Sequence, residues 1–394
     1  MLGSLVKMHR RFYAKMLRMS CLAITLFFLI SCTDMGTYAN DLQFLESKGI
    51  ETVELVSPDG QARVLTVPAW QGRVMTSTAT GLKGRSHGWI NRRFLEAGVP
   101  SAQFNNYGGE ERLWLGPEGG ENSWYFAPGA EQVFANWKVP APFDTDAFEL
   151  SGRTAGSATF SRDVTLRNAK GVEFRIRMSR TVELLSRQEV EAFQGALPEG
   201  VACVAYRSRN SITNIGTEPW TEATGMPSVW MLGMFNPSET TTVYIPYNED
   251  APGRIVKDDY FGPMPEGRLK AEDGRISFRI DGKFRSKIGV SGERSLGTVY
   301  ALDPVQGVLT ILKTDIPVPG ARFVNSQWGV QEDAFGGDAL NSYNDGPTDD
   351  GTVMGPFFEI ESSSPAAALA PGETLTHTQT TIHIEGPAEL LKCR

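Results

Sequence analysis

Two glutamates near the C-terminus have the spacing of a proton-transfer pair. Glu359 and Glu361 lie in the run 357–361, where apolar and polar residues alternate as in a β-strand. Because successive side chains of a strand point to opposite faces, the two carboxyls share one face. Two neighbouring carboxyls repel each other, so the pKa of one is raised when both lie in an enclosed site. We therefore name both as candidate catalytic residues, with a solvated pair as the alternative.

A glycine-rich segment at 105–120 combines aromatic, acidic and basic residues. Paired glycines let the backbone approach a ligand closely, and tryptophan offers a flat apolar face that suits a sugar ring. The candidate substrate-binding residues of this segment are Tyr107, Glu110, Arg112, Trp114 and Glu118. The alternative is a glycine-rich hairpin whose tryptophan packs in the core.

A second polar segment, within 322–346, is dense in asparagine and aspartate. Its aromatic and amide residues add three candidate substrate-binding residues, Trp328, Asn341 and Tyr343. Its oxygen-bearing side chains include three candidate ligands for a hard cation such as Ca²⁺, namely Asp338, Asn344 and Asp345. Their spacing is not that of an EF-hand loop, and a loop of side-chain turns is the alternative. The predicted chemistry requires no cofactor. These residues could nevertheless hold a calcium ion.

Histidine is scarce in this chain. His87 lies a few residues before Arg92, and we name these two as a candidate catalytic and a candidate substrate-binding residue, with a polar surface turn as the alternative. His377 and His383 share one strand-like run, and we interpret them as surface residues of an edge strand. The sequence contains no nucleophile elbow, phosphate loop, dinucleotide fingerprint or zinc-type Cys/His spacing.

These candidates lie in a sequence that alternates like β-sheet almost throughout. Strand-like runs occur at 63–67, 157–164, 172–178, 201–206, 241–247, 275–280, 296–302, 308–313, 357–361 and 375–384. Turn dipeptides such as Asp-Gly separate many of them. Helical patterns are few, at 41–48 and 184–195. Closely spaced strands without a linker or a repeat predict an all-β fold, a sandwich or barrel, in a single domain over 43–392.

Composition and charge exclude several classes of protein. The 394 residues are 41% hydrophobic and 21% charged, which excludes a disordered chain, a coiled coil and a collagen-like repeat. Five of the 38 basic residues and none of the 46 acidic ones fall within 1–31, so the remainder carries a net charge of −13. An acidic body argues against a nucleic-acid partner.

The N-terminus has the features of an export signal. Basic residues up to Arg18 precede an apolar run at 21–30, which is shorter than the roughly 20 residues of a membrane span. The run ends in Ser31-Cys32, which resembles the lipobox of bacterial lipoproteins. We therefore predict a signal peptide over 1–31, lipidation of Cys32 and a tether over 32–42. The alternatives are a signal peptide without a lipid and an uncleaved anchor.

The predicted location follows from the lipid. Acyl chains would hold the protein to a membrane, so the domain need not be membrane-like itself. Thr33, rather than Asp, follows Cys32, which favours the outer membrane of a Gram-negative cell envelope. The two cysteines that remain, Cys203 and Cys393, are expected to be free thiols.

The C-terminal pattern resembles the galactose-mutarotase-like superfamily, whose members include aldose 1-epimerases. It consists of the acid-bearing strand, Pro365, the segment 369–373 and a closing strand. In aldose epimerases the acid at this place is the base that takes the proton of the anomeric hydroxyl, and the resemblance gives this role to Glu359 or to Glu361. More closely, the chain is similar to an uncharacterised family of bacterial lipoproteins within the superfamily, over most of its mature length.

The resemblance implies a β-supersandwich that binds carbohydrate in its concave face. Residues 72–75 with 89–92 resemble the epimerase region that supplies a substrate-binding arginine. Tyr107 stands where epimerases have a histidine, and the second histidine, their general acid, has no counterpart in 224–235. Two functions therefore stay open. One is a carbohydrate-active enzyme such as an epimerase, lyase or hydrolase, and the other is a non-catalytic glycan-binding or structural envelope lipoprotein.

Overall fold

Antiparallel β-sheet dominates the computed structural model, which describes residues 36–348 and 351–393. The strands in chain order are β1 (Val53–Val56), β2 (Arg63–Val67), β3 (Arg73–Thr78), β4 (Arg112–Gly116), β5 (Glu149–Arg153), β6 (Ser157–Arg167), β7 (Glu173–Leu184), β8 (Ala202–Asn214), β9 (Ser228–Phe235), β10 (Thr242–Pro246), β11 (Leu269–Glu272), β12 (Arg275–Arg279), β13 (Ser286–Ser291), β14 (Thr298–Asp303), β15 (Val308–Thr314), β16 (Asp338–Asn344), β17 (Phe358–Ser363) and β18 (Thr374–Glu385). The all-β class predicted from the alternating runs is confirmed.

Helices are few and short, as the sequence predicts. They are α1 (Tyr38–Ser47), α2 (Arg92–Ala97), α3 (Ala141–Asp144) and α4 (Arg187–Gln194), with short 3₁₀ turns at Pro68–Trp70, Phe134–Asn136 and Ala388–Leu390. The hydroxyl of Thr37 accepts the backbone N–H of Asn40 and so caps α1. The first helix therefore begins inside the segment that the sequence assigns to a tether, and the residues from Thr37 onward form one compact unit.

The largest sheet has ten strands in the order β11-β12-β10-β14-β15-β18-β8-β7-β6-β5. In β7 the residues alternate between buried and exposed over most of the strand, so one face packs in the core and the other meets solvent. β18 lies between β15 and β8, in the middle of the sheet. His377 and His383 are consequently buried on a central strand, and their interpretation as surface residues of an edge strand is wrong.

The second sheet has five strands in the order β13-β16-β17-β9-β4. One of its faces packs against the ten-stranded sheet, because Phe358 and Ile360 of β17 join Val243 of β10 and Phe278 of β12 in one buried cluster. Side chains at alternate positions point to the other face. That outward face is where the acid-bearing strand places its glutamates.

A small three-stranded sheet, β1-β2-β3, continues this layer. Leu45 of α1 packs with Leu65 and Met75 of this sheet. Backbone hydrogen bonds join β3 to the residue before β4: the N–H of Val74 donates to the carbonyl of Glu111 at 3.0 Å, and the N–H of Glu111 donates back at 3.1 Å. β3 is therefore a neighbour of β4.

The predicted export signal and tether lie mostly outside the described residues. The predicted signal peptide and Cys32 lie outside the described residues. Within residues 36–348 and 351–393, none of the helices has the length and apolar character needed to cross a bilayer. Cys203 and Cys393 are free thiols, as predicted.

Candidate functional site

Glu359 and Glu361 lie on the outward face of the five-stranded sheet, where the alternation of their strand places them. Glu361 is paired with Asn341 of β16 and, across β9, lies in one row with Arg112 of β4. Glu359 is paired with Tyr343 of β16. Directly paired residues have their Cβ atoms roughly 5 Å apart. We call the outward-facing side chains of β4, β9, β13, β16 and β17 the polar face.

Glu359 is held by an arginine. Nη2 of Arg112 donates to Oε1 of Glu359 at 2.8 Å, and only 4% and 9% of the two side chains are exposed. Burial raises the pKa of Glu359 to about 7, against the opposing charge of Arg112, and the charge of Glu361 adds to the rise. A carboxyl with such a pKa exists in both protonation states near neutral pH. It is therefore suited to proton transfer.

Glu361 is held by a lysine and a tryptophan. Nζ of Lys287 donates to both of its oxygens at 3.0 Å, and the indole N–H of Trp230 donates to Oε2 at 2.9 Å. Burial disfavours the charge of Lys287, but the carboxylates of Glu361 and Glu118 outweigh it and raise the lysine pKa. Lys287 is therefore a fixed positive charge on the polar face.

Asn341 and Tyr343 complete the polar face on β16. The side-chain amide of Asn341 donates to the carbonyl of Ile288 at 3.2 Å. The hydroxyl of Tyr343 donates to Asp345 at 3.0 Å and accepts from Nε of Arg285 at 3.2 Å. Burial raises the pKa of Tyr343, so its phenol stays neutral. These groups can donate and accept hydrogen bonds, as binding of sugar hydroxyls requires.

Trp114 is part of the polar face but is not an open platform. Its side chain is enclosed by Phe104 and Trp230, and only 3% of the residue is exposed. Its indole N–H donates to the carbonyl of Phe143 at 3.1 Å. The guanidinium of Arg112 lies 4.4 Å from its ring centroid. Trp114 therefore packs in the core, which agrees with the alternative of a glycine-rich hairpin with a buried tryptophan. Its ring packs against the guanidinium of Arg112.

Trp328 and Glu118 border the polar face. The half-buried ring of Trp328 lies 6.4 Å from that of Trp137, nearly parallel to it. Burial raises the pKa of Glu118, and the charges of Lys287 and Glu361 act on it. Glu118 is therefore close to the lysine end of the polar face.

Arg92 and Tyr107 lie to one side of this group. Arg92 donates to Asp41 of α1 at 2.5 Å and lies over the ring of Phe44, so it does not reach the polar face. The half-buried ring of Tyr107 is stacked on that of Trp70 with 4.1 Å between centroids. The structure does not bring Arg92 together with the two glutamates.

His87 and Glu110 belong to a different, buried cluster against β18. The rings of His87 and His383 are stacked with 4.0 Å between centroids. His87 is paired with Glu385 at 3.0 Å, and His383 with Glu110 at 2.6 Å. Burial and the neighbouring His383 lower the pKa of His87 to about 4. His87 is therefore neutral at pH 7 and lies in the interior, away from the polar face.

The three predicted cation ligands do not converge. Asp338 and Asn344 begin and end β16, so they lie roughly 20 Å apart along the strand. Asn344 donates to the carbonyl of Phe284 at 2.8 Å, whereas Asp338 accepts from the hydroxyl of Tyr260. Asp345 follows Asn344. In the part of the chain that the structure describes, no three His, Cys, Asp or Glu side chains are grouped to hold a metal. The predicted single calcium site is thus not formed.

Sequence reasoning missed Lys287 and Trp230. Lys287 lies between Ser286 and Ile288 in a short strand, and a lysine in a strand is equally typical of a solvated face. Trp230 lies in β9, where every residue is buried, so no alternation marks the side that it faces. The signal that could have found them is the register of β13 and β9 relative to β17, which a single sequence does not provide.

The chain is a β-sandwich protein with a charged polar face on its five-stranded sheet. The chain belongs to a family described as a family of unknown function (DUF6786), whose match spans residues 36–393. A search of the curated proteins found no match.

Solved structures with a similar fold cover most of the chain. The Slr1438 protein from Synechocystis sp. PCC 6803 is 14% identical with a TM-score of 0.51, over 85% of this chain and 96% of that one. A candidate aldose 1-epimerase from Escherichia coli K12 is 16% identical with a TM-score of 0.49, over 86% and 99%. A galactose mutarotase-like protein from Lactobacillus casei ATCC 334 is 13% identical with a TM-score of 0.45, over 85% and 99%. The predicted resemblance is confirmed for the fold.

Proposed function

We propose that the polar face binds a saccharide and that Glu359 exchanges a proton with its anomeric hydroxyl, as in an aldose 1-epimerase or a related carbohydrate-active enzyme. The observation that carries the proposal is a pair of buried carboxyls on one face, each with its own cation. Glu359 is bound by Arg112 at 2.8 Å and Glu361 by Lys287 at 3.0 Å. Relatives of similar fold described as epimerase or mutarotase proteins support the choice of substrate class.

The two glutamates have different roles in this proposal. The oxygens of Glu361 accept three hydrogen bonds from Lys287 and Trp230, so Glu361 fixes these donors in place. Burial raises the pKa of Glu359 to about 7, so it can both take a proton and return it. Arg112 and Lys287 supply fixed positive charge, which stabilises the oxyanion left when the anomeric hydroxyl loses its proton.

The test is the rate at which the protein interconverts sugar anomers. The chain from residue 33 onward is mixed with hexoses and uronic acids, and exchange between anomers is measured by NMR. We expect acceleration with at least one sugar, and a loss of about 100-fold or more in Glu359→Gln, because general acid–base catalysis contributes roughly that much. The matched control is Glu149→Gln, an exposed strand glutamate of the ten-stranded sheet. Unchanged turnover in Glu359→Gln would remove the assignment.

A specific observation favours non-catalytic glycan binding as the second candidate. The described histidines His87, His377 and His383 are all buried outside the polar face, so none of them donates a proton there. Under this alternative the face binds saccharide through its charged and amide groups alone. Wild-type binding without anomer exchange, retained in Glu359→Gln, would establish it.

We also propose that the protein is exported and anchored in the cell envelope by a lipid on Cys32, with the outer membrane as its place. The support is the basic segment, the short apolar run and the Ser31-Cys32 junction in the sequence. Metabolic labelling with a fatty acid in a Gram-negative host tests this proposal. Label on the wild-type chain but not on Cys32→Ala is expected, and label on both would refute it.

A further inference from the structure

Arg73 is a buried cation to which no described carboxylate is hydrogen-bonded. Arg73 is 0% exposed to solvent. Nη1 donates to the carbonyl of Gly108 at 2.9 Å, whereas Nε and Nη2 have no hydrogen-bond partner. An ionised group is costly to bury unless it is paired and its donors are used. The side chain therefore retains two donors for which the described chain provides no acceptor.

A second arginine lies directly opposite Arg73. Val74 and Glu111 form an antiparallel bridge. Arg73 precedes Val74 and Arg112 follows Glu111, so the two arginines are opposite each other on neighbouring strands. Burial is the main cause that lowers the pKa of Arg73, and the charge of Arg112 lowers this pKa further. Like charges placed opposite each other on neighbouring strands destabilise a sheet. This arrangement is expected where an anion is bound between the two.

Neither of the two acids nearby is hydrogen-bonded to Arg73. Glu359 accepts from Nη2 of Arg112 and so compensates that residue, whose Nε has no partner. Asp144 acts on Arg73 through its charge, but both of its oxygens already accept hydrogen bonds from Asn105. The Nε and Nη2 donors of Arg73 therefore have no carboxylate partner among the described residues.

We propose that Arg73 and Arg112 form an oxyanion subsite, so that the saccharide bound on the polar face is an acidic one carrying a carboxylate or a sulfate ester. This inference rests on the proposed function. Arginine forks match the geometry of a carboxylate through paired N–H donors. The three unpartnered donors are Nε and Nη2 of Arg73 and Nε of Arg112. The anion lies beside Glu359, because Glu359 is bound to the same arginine.

The test compares sugars that differ only in the anionic group. Binding of D-glucose, D-glucuronate and D-glucose 6-sulfate to the chain from residue 33 onward is measured by calorimetry, at one ionic strength. We expect the wild-type chain to bind one or both anionic sugars at least tenfold more tightly than glucose. Tighter binding of the glucuronate indicates a carboxylate, and tighter binding of the sulfate ester indicates a sulfate. Equal affinity for all three sugars would overturn the subsite and leave the proposed function standing.

Variants locate the preference. Arg73→Met should remove the tenfold advantage of the anionic sugar over glucose, and Arg73→Lys should restore part of it. The matched control is Arg177→Met, which removes one exposed positive charge on β7. An anionic preference that survives in Arg73→Met would overturn the assignment. If Arg73→Met does not fold, the wild-type comparison decides alone, and no binding of any saccharide would overturn the proposed function together with the subsite.

Discussion

Replacing Glu359 by glutamine should change how the stability of the protein depends on pH. Burial raises the pKa of Glu359 from 4.5 to about 7. The folded-state pKa therefore exceeds the unfolded one, so the contribution of this group to stability is fully present below pH 4.5 and is lost as pH rises through about 7. At about 1.4 kcal/mol per pH unit, the loss amounts to about 3 kcal/mol. Glutamine resembles the protonated carboxyl and carries no such loss.

The assay is urea unfolding of wild type and Glu359→Gln at a series of pH values from 5 to 8. The variant should gain about 2.5 kcal/mol relative to wild type between pH 5 and pH 8, since part of the loss has already occurred at pH 5. This gain is a large part of the roughly 5–15 kcal/mol that stabilises an ordinary domain. Glu131→Gln, an exposed residue, is the control for the loss of one charge. A difference between wild type and Glu359→Gln that stays constant with pH would refute the raised pKa of Glu359 and with it the proposed proton transfer.

Three further predictions concern other parts of the molecule. Arg180→Met should lower the free energy of unfolding by about 3–5 kcal/mol, since Arg180 and Glu111 are 0% exposed and the change leaves a buried carboxylate unpaired; a loss below 1 kcal/mol in denaturant unfolding would contradict this. Burial raises the pKa of Cys203 to about 12, so this thiol should react with a disulfide reagent at pH 8 only after unfolding; rapid labelling of the native chain would contradict it. Because Asp338 and Asn344 lie at opposite ends of one strand, millimolar Ca²⁺ should not raise the melting temperature, and a clear rise would show a site that this geometry does not explain.

Local alternation made part of the fold predictable. The run 172–178 alternates in sequence, and β7 extends over Glu173–Leu184 with buried and exposed residues in turn. The same rule places Glu359 and Glu361 on one face, because a period of two is a property of the strand itself. Properties that depend on one strand alone could therefore be derived from the sequence.

The pairing of distant strands could not be derived in this way. His377 lies on a strand that pairs with β8, about 170 residues earlier in the chain, and this partner makes the strand central rather than an edge. The cations of the polar face show the same limit. Arg112 and Lys287 meet the glutamates only because β4 and β13 belong to the same sheet as β17. Their side chains carry no local signal that distinguishes a site residue from a solvated one.

A crystal structure of the chain from residue 33 onward with D-glucuronate would show whether the polar face binds a saccharide beside Glu359. We expect the sugar on the polar face, between Arg112 and Lys287, with its anomeric hydroxyl within hydrogen-bond distance of Glu359. A sugar bound elsewhere on the protein, or a polar face that stays without sugar at a concentration that saturates binding in solution, would contradict this expectation.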